Sequence, residues 1–240
     1  RFSMRSEGHA NNAFHNLIIH HLGDTRTVGI DNGSKLIVDN DLTITRGILQ
    51  MNTNHELDVG QDIVIDDASD VAELRMGNVS TASTHPLTAR SITIGSDGTY
   101  YATSGTTTVF NTAGSSYAFN NAGTYTPNSG TLQIGNGTTP SGGASHIKSN
   151  NYHHLIINTG VSAPNGNIPW RPNSGTEVTI AGDLTVTKGR FYRNNSSNSL
   201  VVTGDVDIEA NGQVGTSAAS GANTFGSLSV ASGGKYLATS

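Results

Sequence analysis

Six carboxylates crowd into one short stretch: Asp58, Asp62, Asp66, Asp67, Asp70 and Glu73. Two such groups about 5 to 9.5 Å apart on one face hydrolyse glycosidic bonds. Asp66, Asp67 and Asp70 also offer the hard oxygen ligands that calcium takes. Neither the EF-hand spacing nor a GGxGxD roll repeat is present, however. A plainer role competes with both chemistries. An Asp just ahead of a strand accepts backbone N–H groups at the turn. Asp41, Asp62, Asp183 and Asp205 each stand immediately before an alternating apolar run. The expectation is turn-forming or solvated carboxylates. Asp66, Asp67 and Asp70 are kept as candidate calcium ligands, and no catalytic residue or cofactor is assigned.

Six of the nine histidines form two groups: His9, His15, His20 and His21, then His153 and His154. A zinc site needs several imidazoles converging on one point. Successive residues of a strand point to opposite faces, so neither adjacent pair is a ready chelate. Polar residues at turns are expected instead. The third candidate is residues 163–173 (APNGNIPWRPN), which hold the single Trp and three of the six Pro. It reads as an inserted outer loop. There, an exposed Trp170 beside Arg171 stacks on a sugar ring or fills a partner's pocket. The alternative is a loop folded back, with Trp170 covering a coil.

The elements that carry these residues are short. Residues 41–47 (DLTITRG) return as 183–189 (DLTVTKG). In a strand Leu184, Val186 and Lys188 share one face, and Asp183, Thr185 and Thr187 the other; the closing Gly supplies a turn. Further runs of this kind fall at 17–19, 36–38, 63–65, 92–94, 132–134, 155–157, 178–180, 200–202, 206–208 and 228–230. Ile156 and Ile180 are expected inward and Thr185 outward. No segment spaces its apolar residues as a helix does. Asp41 to Asp62 spans 21 residues and Asp183 to Asp205 spans 22. That beat predicts an all-β, right-handed parallel β-helix (β-solenoid) of roughly 21–25-residue coils. At about 4.8 Å per coil, ten or eleven coils make a rod roughly 50 Å long. A β-sandwich is the alternative, because the Asn-Gly and Asp-Gly steps at 32, 97, 136, 165 and 211 can close hairpins.

A longer repeat lies over this beat. Residues 14–20 match 152–158, 41–47 match 183–189, 57–65 match 200–208, and 91–104 match 227–240. Four collinear matches define a tandem repeat of about 140 residues. Residues 1–138 form the first copy, and 139–240 a second, incomplete copy continuous with it. The break inside a repeat marks an expected window of a longer protein. Residues 105–150 are rich in Thr, Ser, Gly and Asn. They retain spaced apolar residues (Val109, Tyr117, Phe119, Tyr125, Leu132, Ile134) and are expected to fold as coils with wide turns.

Composition agrees with a β-rich, turn-rich body. There are 29 Gly in 240 residues, and only 13 % of residues are charged; Gly, Asn and β-branched Thr disfavour helix. No cysteine is present, so disulfides and Cys-type zinc sites are ruled out. No apolar run reaches the length of a membrane-spanning helix, so no membrane insertion is expected. A net charge of −5 gives no basic footprint for nucleic acid. GxSxG, P-loop, Rossmann and HExxH signatures are missing.

The phrases FHNLIIHH and YHHLIIN, then DLTITRG and DLTVTKG, then LVVTGDVDIEANGQV resemble repeats in long surface proteins of bacteria and their phages. These include parallel β-helix tail fibres and tailspikes, and secreted adhesins. The resemblance implies a non-catalytic structural or adhesive shaft of a virion fibre, spike or other extracellular appendage. A secreted bacterial adhesin is one alternative, and a polysaccharide-degrading spike the other. Host-surface or extracellular polysaccharide is the expected partner, with self-association as a homotrimer a further expectation.

Overall fold

The computed structural model describes residues 2–4, 12–21, 27–30, 35–66, 71–78, 80–110, 117–137, 146–162, 165, 167–172, 175–193, 197–215 and 221–238. These residues contain no helix, and 65 % of them are in strands, coiled as a parallel β-solenoid of about eight turns. The chain divides into two compact units: 1–108 with 121–130, and 109–120 with 131–240. Every strand pairing with a described register is parallel; the single antiparallel bridge, Gly77 to Ala82, is isolated. The hairpins that a sandwich requires are therefore not what joins these strands. Asn211-Gly212, for example, lies inside the strand Ser199–Val214.

In the first unit each coil contributes to three stacks. One holds Asn12–Phe14, Lys35–Val38, Glu56–Val59 and Leu87–Ala89. The next holds Leu17–His20, the first half of Leu42–Met51, Asp62–Ile65 and Ser91–Ile94. The third holds Phe2–Met4, Thr27–Ile30, the second half of Leu42–Met51, Ala72–Met76, Gly98–Tyr101 and Thr124–Thr126. Alternation sends every second side chain inward, so like sits on like. Leu36, Leu57 and Leu87 form one buried column, and Ile44, Ile65 and Ile94 another. Tyr100 lies over Tyr125 with ring centroids 5.7 Å apart, and its hydroxyl shares a 2.9 Å hydrogen bond with Thr107.

The second unit repeats the plan. Leu132, Leu155, Leu184 and Val206 stack in one column, and Ile134, Ile157, Val186 and Ile208 in its neighbour. A second stack contains residues 117–120, His146–Lys148, Asn167–Arg171 and the ends of Leu184–Arg193 and Ser199–Val214, followed by Lys235–Tyr236. The third contains Asn151–Tyr152, Glu177–Ile180 and the starts of Ser199–Val214 and Asn223–Val230.

The twin motifs turn a corner. Gly47 and Gly189 both sit inside ten-residue strands with φ of 93° and 105°. That left-handed backbone is open to Gly and strained for other residues. It lets one continuous strand serve two stacks. A bulge just before Lys188 breaks the alternation, so Lys188 is half-exposed and does not join Leu184 and Val186 inside. Ile156 also departs from expectation: Leu155 and Ile157 are inside, and Ile156 lies between them on the outer side. Ile180 is buried as expected. Coil length varies more than the 21-to-22-residue beat implies. Register partners are 21 residues apart at Leu42 and Ile63, but 30 apart at Leu57 and Leu87. Longer coils leave about eight turns where ten or eleven were expected. The middle of the chain is folded over its described parts: Thr106–Val109, Tyr117–Asn121, Thr124–Thr126, Thr131–Ile134 and His146–Lys148 are strands.

Candidate functional site

A line of side chains clasps coil to coil at the turn before one strand of each coil. In the first unit the Asp41 N–H donates to Asn16 Oδ1 at 3.2 Å, and the Asp62 N–H to Asp41 Oδ1 at 3.1 Å. Ser91 Oγ then donates to Asp62 Oδ1 at 2.7 Å. The second unit reproduces this residue for residue. The Asp183 N–H donates to His154 Nδ1 at 3.0 Å, the Asp205 N–H to Asp183 Oδ1 at 2.9 Å, and Ser227 Oγ to Asp205 Oδ1 at 2.7 Å. Asp41 and Asp183 accept a backbone N–H, as read from sequence, whereas Asp62 and Asp205 accept a serine hydroxyl instead. The donor belongs to the following coil, not to the residue's own turn. His154 and Asp183 need close glycines: a Cβ at Gly182 would lie 2.4 Å from the His154 ring, and one at Gly204 would lie 2.3 Å from Asp183 Oδ1.

The acidic stretch is drawn into similar work. Asp58 pairs with Lys35 at 2.8 Å, and Glu73 pairs with Arg75 on the same strand. Asp62 takes a hydrogen bond from Arg90 Nε at 2.8 Å, a second from Arg90 Nη2, and that of Ser91. Burial pushes the Asp62 carboxyl up. The Arg90 and Ser91 hydrogen bonds and the Arg90 charge outweigh this and hold it below its ordinary value. Asp66 is exposed beside Gly95, where an added Cβ would lie 1.8 Å from its carboxylate. Asp67 and Asp70 lie outside the described residues. Among the described residues no three His, Cys, Asp or Glu side chains gather as metal ligands.

His15 and His20 each bond a residue of the next coil. His20 Nδ1 shares a 2.8 Å bond with Thr45, and His15 Nε2 lies 3.0 Å from Asn40 Nδ2; His9 is outside the described residues. His153 and His154 do not point apart. Their rings meet edge to face at 4.5 Å, because His153 stands in the bend ahead of the strand, where alternation does not apply. Burial first, then the neighbouring His154, push the His153 imidazole below its ordinary value; Asp183 pulls the other way.

The expected outer loop at residues 163–173 is in large part the strand Asn167–Arg171. Trp170 is 1 % exposed, stacked in register between Ile147 and Arg193, with Phe191 at 5.9 Å. An exposed Trp170 for a sugar or partner is thus corrected to a core residue that covers a coil. Arg171 faces outward, its guanidinium 5.2 Å from the centre of the Tyr117 ring.

Around Arg171 the structure gathers something that composition concealed. The outer side of this stack carries His146 and Lys148 on one coil, Arg171 and Arg190 on the next two, and Lys235 two coils beyond Arg190, beside Tyr117 and Tyr192. Tyr117 and His146 are paired in register with rings 5.5 Å apart; Arg190 lies 4.8 Å over Tyr192. No Asp or Glu occurs between residues 98 and 176. The five acids of the second unit, Glu177, Asp183, Asp205, Asp207 and Glu209, all lie outside the strand segments of this stack. The sequence signal was that acid-free run, hidden by a net negative chain. No protein-family model, no curated protein and no solved structure matches the chain.

Proposed function

We propose that this chain is a structural and adhesive shaft segment of an extracellular appendage, a virion tail fibre or spike, without catalysis of its own. The observation that carries the reading is the repeated clasp. Asn16, Asp41, Asp62 and Ser91, and again His154, Asp183, Asp205 and Ser227, spend their polar groups on joining one coil to the next. A degrading spike needs two carboxylates free to act, whereas Asp58, Asp62 and Glu73 are each held by a cation. Stacked coils supply stiffness from repetition, which suits reach and attachment.

Antibodies raised against the purified chain, applied to virions and to cells of its source, test the assignment. Label along virion fibres, with no oligosaccharide released from capsular or lipopolysaccharide glycans, is the expected result. Label on the bacterial surface alone moves the assignment to a secreted adhesin. Glycan cleavage by the pure chain overturns the non-catalytic reading.

A further inference from the structure

We infer that the basic, tyrosine-bearing face of the second unit is an attachment surface for an acidic polysaccharide. This deepens the adhesive reading and names its partner class. The face runs through His146–Lys148, Asn167–Arg171, the end of Leu184–Arg193 and Lys235–Tyr236. Coils stack about 4.8 Å apart. Lys148 and Arg171 are register neighbours, and Arg190 and Lys235 are separated by the one coil that carries Gln213. Arg190 is in register with Asn167, four residues along the strand from Arg171, so the cations form two short columns about 13 Å apart, with steps of about 5 Å in one and about 10 Å in the other. A polymer with a carboxylate or sulfate on each repeating sugar, lying across both columns, meets several of these cations with weak contacts at once.

Three observations favour a sugar polyanion. The side chains of Lys148 and Lys235 make no ion pair or hydrogen bond among the described residues. Both ammonium groups are thus available to a ligand's anionic oxygens. Tyr117 and Tyr192, each already under a guanidinium, offer flat amphipathic rings beside the charges, as sugar faces require. Finally, Asp205, Asp207 and Glu209 lie on other parts of the same coils. They would repel a thick, all-round polyanion such as duplex nucleic acid, but not a single chain lying along one face.

The test uses the purified full chain with alginate as polyuronate probe, neutral dextran as control and oligo(dT) as the competing polyanion, titrated at low and high salt. Alginate binding that weakens with salt, with no dextran binding, is expected. Lys148→Gln/Arg171→Gln/Arg190→Gln should lower alginate affinity at least tenfold, whereas Lys35→Gln/Arg75→Gln, in the first unit, should not. Tyr192→Leu should lower affinity by a salt-independent factor. Should the arginine changes shift the melting temperature, Lys148→Gln/Lys235→Gln carries the comparison. Equal loss with the first-unit variant, unchanged affinity in the second-unit variants, or oligo(dT) binding without alginate binding each overturns the inference. Its failure leaves the location of the chain on fibres, read by antibody, untouched.

Discussion

Ile180 and Ile156 show how one residue's place decides its tolerance. Ile180 is fully buried between coils, so Ile180→Asp strands a charge in an apolar core and should cost about 4 kcal/mol or more. Ile156→Asp, on the outer side, should cost far less; equal melting temperatures for the two would contradict the inside–outside assignment. Thr185 is outward but paired in register with Asp207. Thr185→Asp should cost about 0.5–1 kcal/mol by like-charge opposition, while Thr185→Lys should be neutral or slightly stabilising. Gly189 holds φ 105°, so Gly189→Ala should cost about 1–2 kcal/mol, measurable by urea unfolding. Titration gives two acid steps of known sign. His153 is held below its ordinary value, so the unfolded chain takes up the proton more readily. Its stabilising effect is complete above about pH 6.5 and is lost as pH falls below that. Asp62 is also held low; its contribution is complete above about pH 4 and is lost on further acidification. Melting temperature against pH should lose the first step in His153→Gln and the second in Asp62→Asn.

At the scale of elements, the strands that sequence revealed are those with strict aliphatic alternation. All twelve of the runs read in this way lie within strands. The missed strands obey other rules. Ala72–Met76 (AELRM) consists of strong helix formers, yet its burial alternates, with Ala72, Leu74 and Met76 inside. Stacking on Gly47–Met51 and Gly98–Tyr101 overrides local preference. Asn167–Arg171 contains Pro169, which removes a ladder donor and made the stretch look like a loop. Trp170 is instead a core anchor there, and Trp170→Ala should cost about 3–5 kcal/mol. A near-native melting temperature for that variant would mean that Trp170 is not covering the coil. The clasp was half legible. The Asp residues before strands were visible, but pairing to the next coil depends on register, which no single stretch encodes. The match of 14–20 to 152–158 sets His154 where Asn16 stands, but only geometry shows an imidazole nitrogen accepting the Asp183 N–H.

Over the whole molecule, charge is sorted by unit. The first carries 13 acidic and 7 basic residues, and the second 5 and 6. A chain-wide net of −5 therefore describes neither unit. Protection from hydrogen exchange should be graded as well. Amides of Glu177–Ile180 and Leu184–Arg193 lie between neighbours on both sides, whereas Asn223–Val230 is largely exposed. The former should exchange far more slowly; uniform protection would argue against coil-by-coil stability. The clasp carries a further implication for how such a chain lengthens. Its donors are mostly main-chain amides, present whatever the residue type, and its acceptor varies among Asn, Asp and His. A newly copied coil therefore needs only one suitable acceptor to be locked in place. Descent by duplication can alter the number of rungs one at a time, without redesigning the partners on either side.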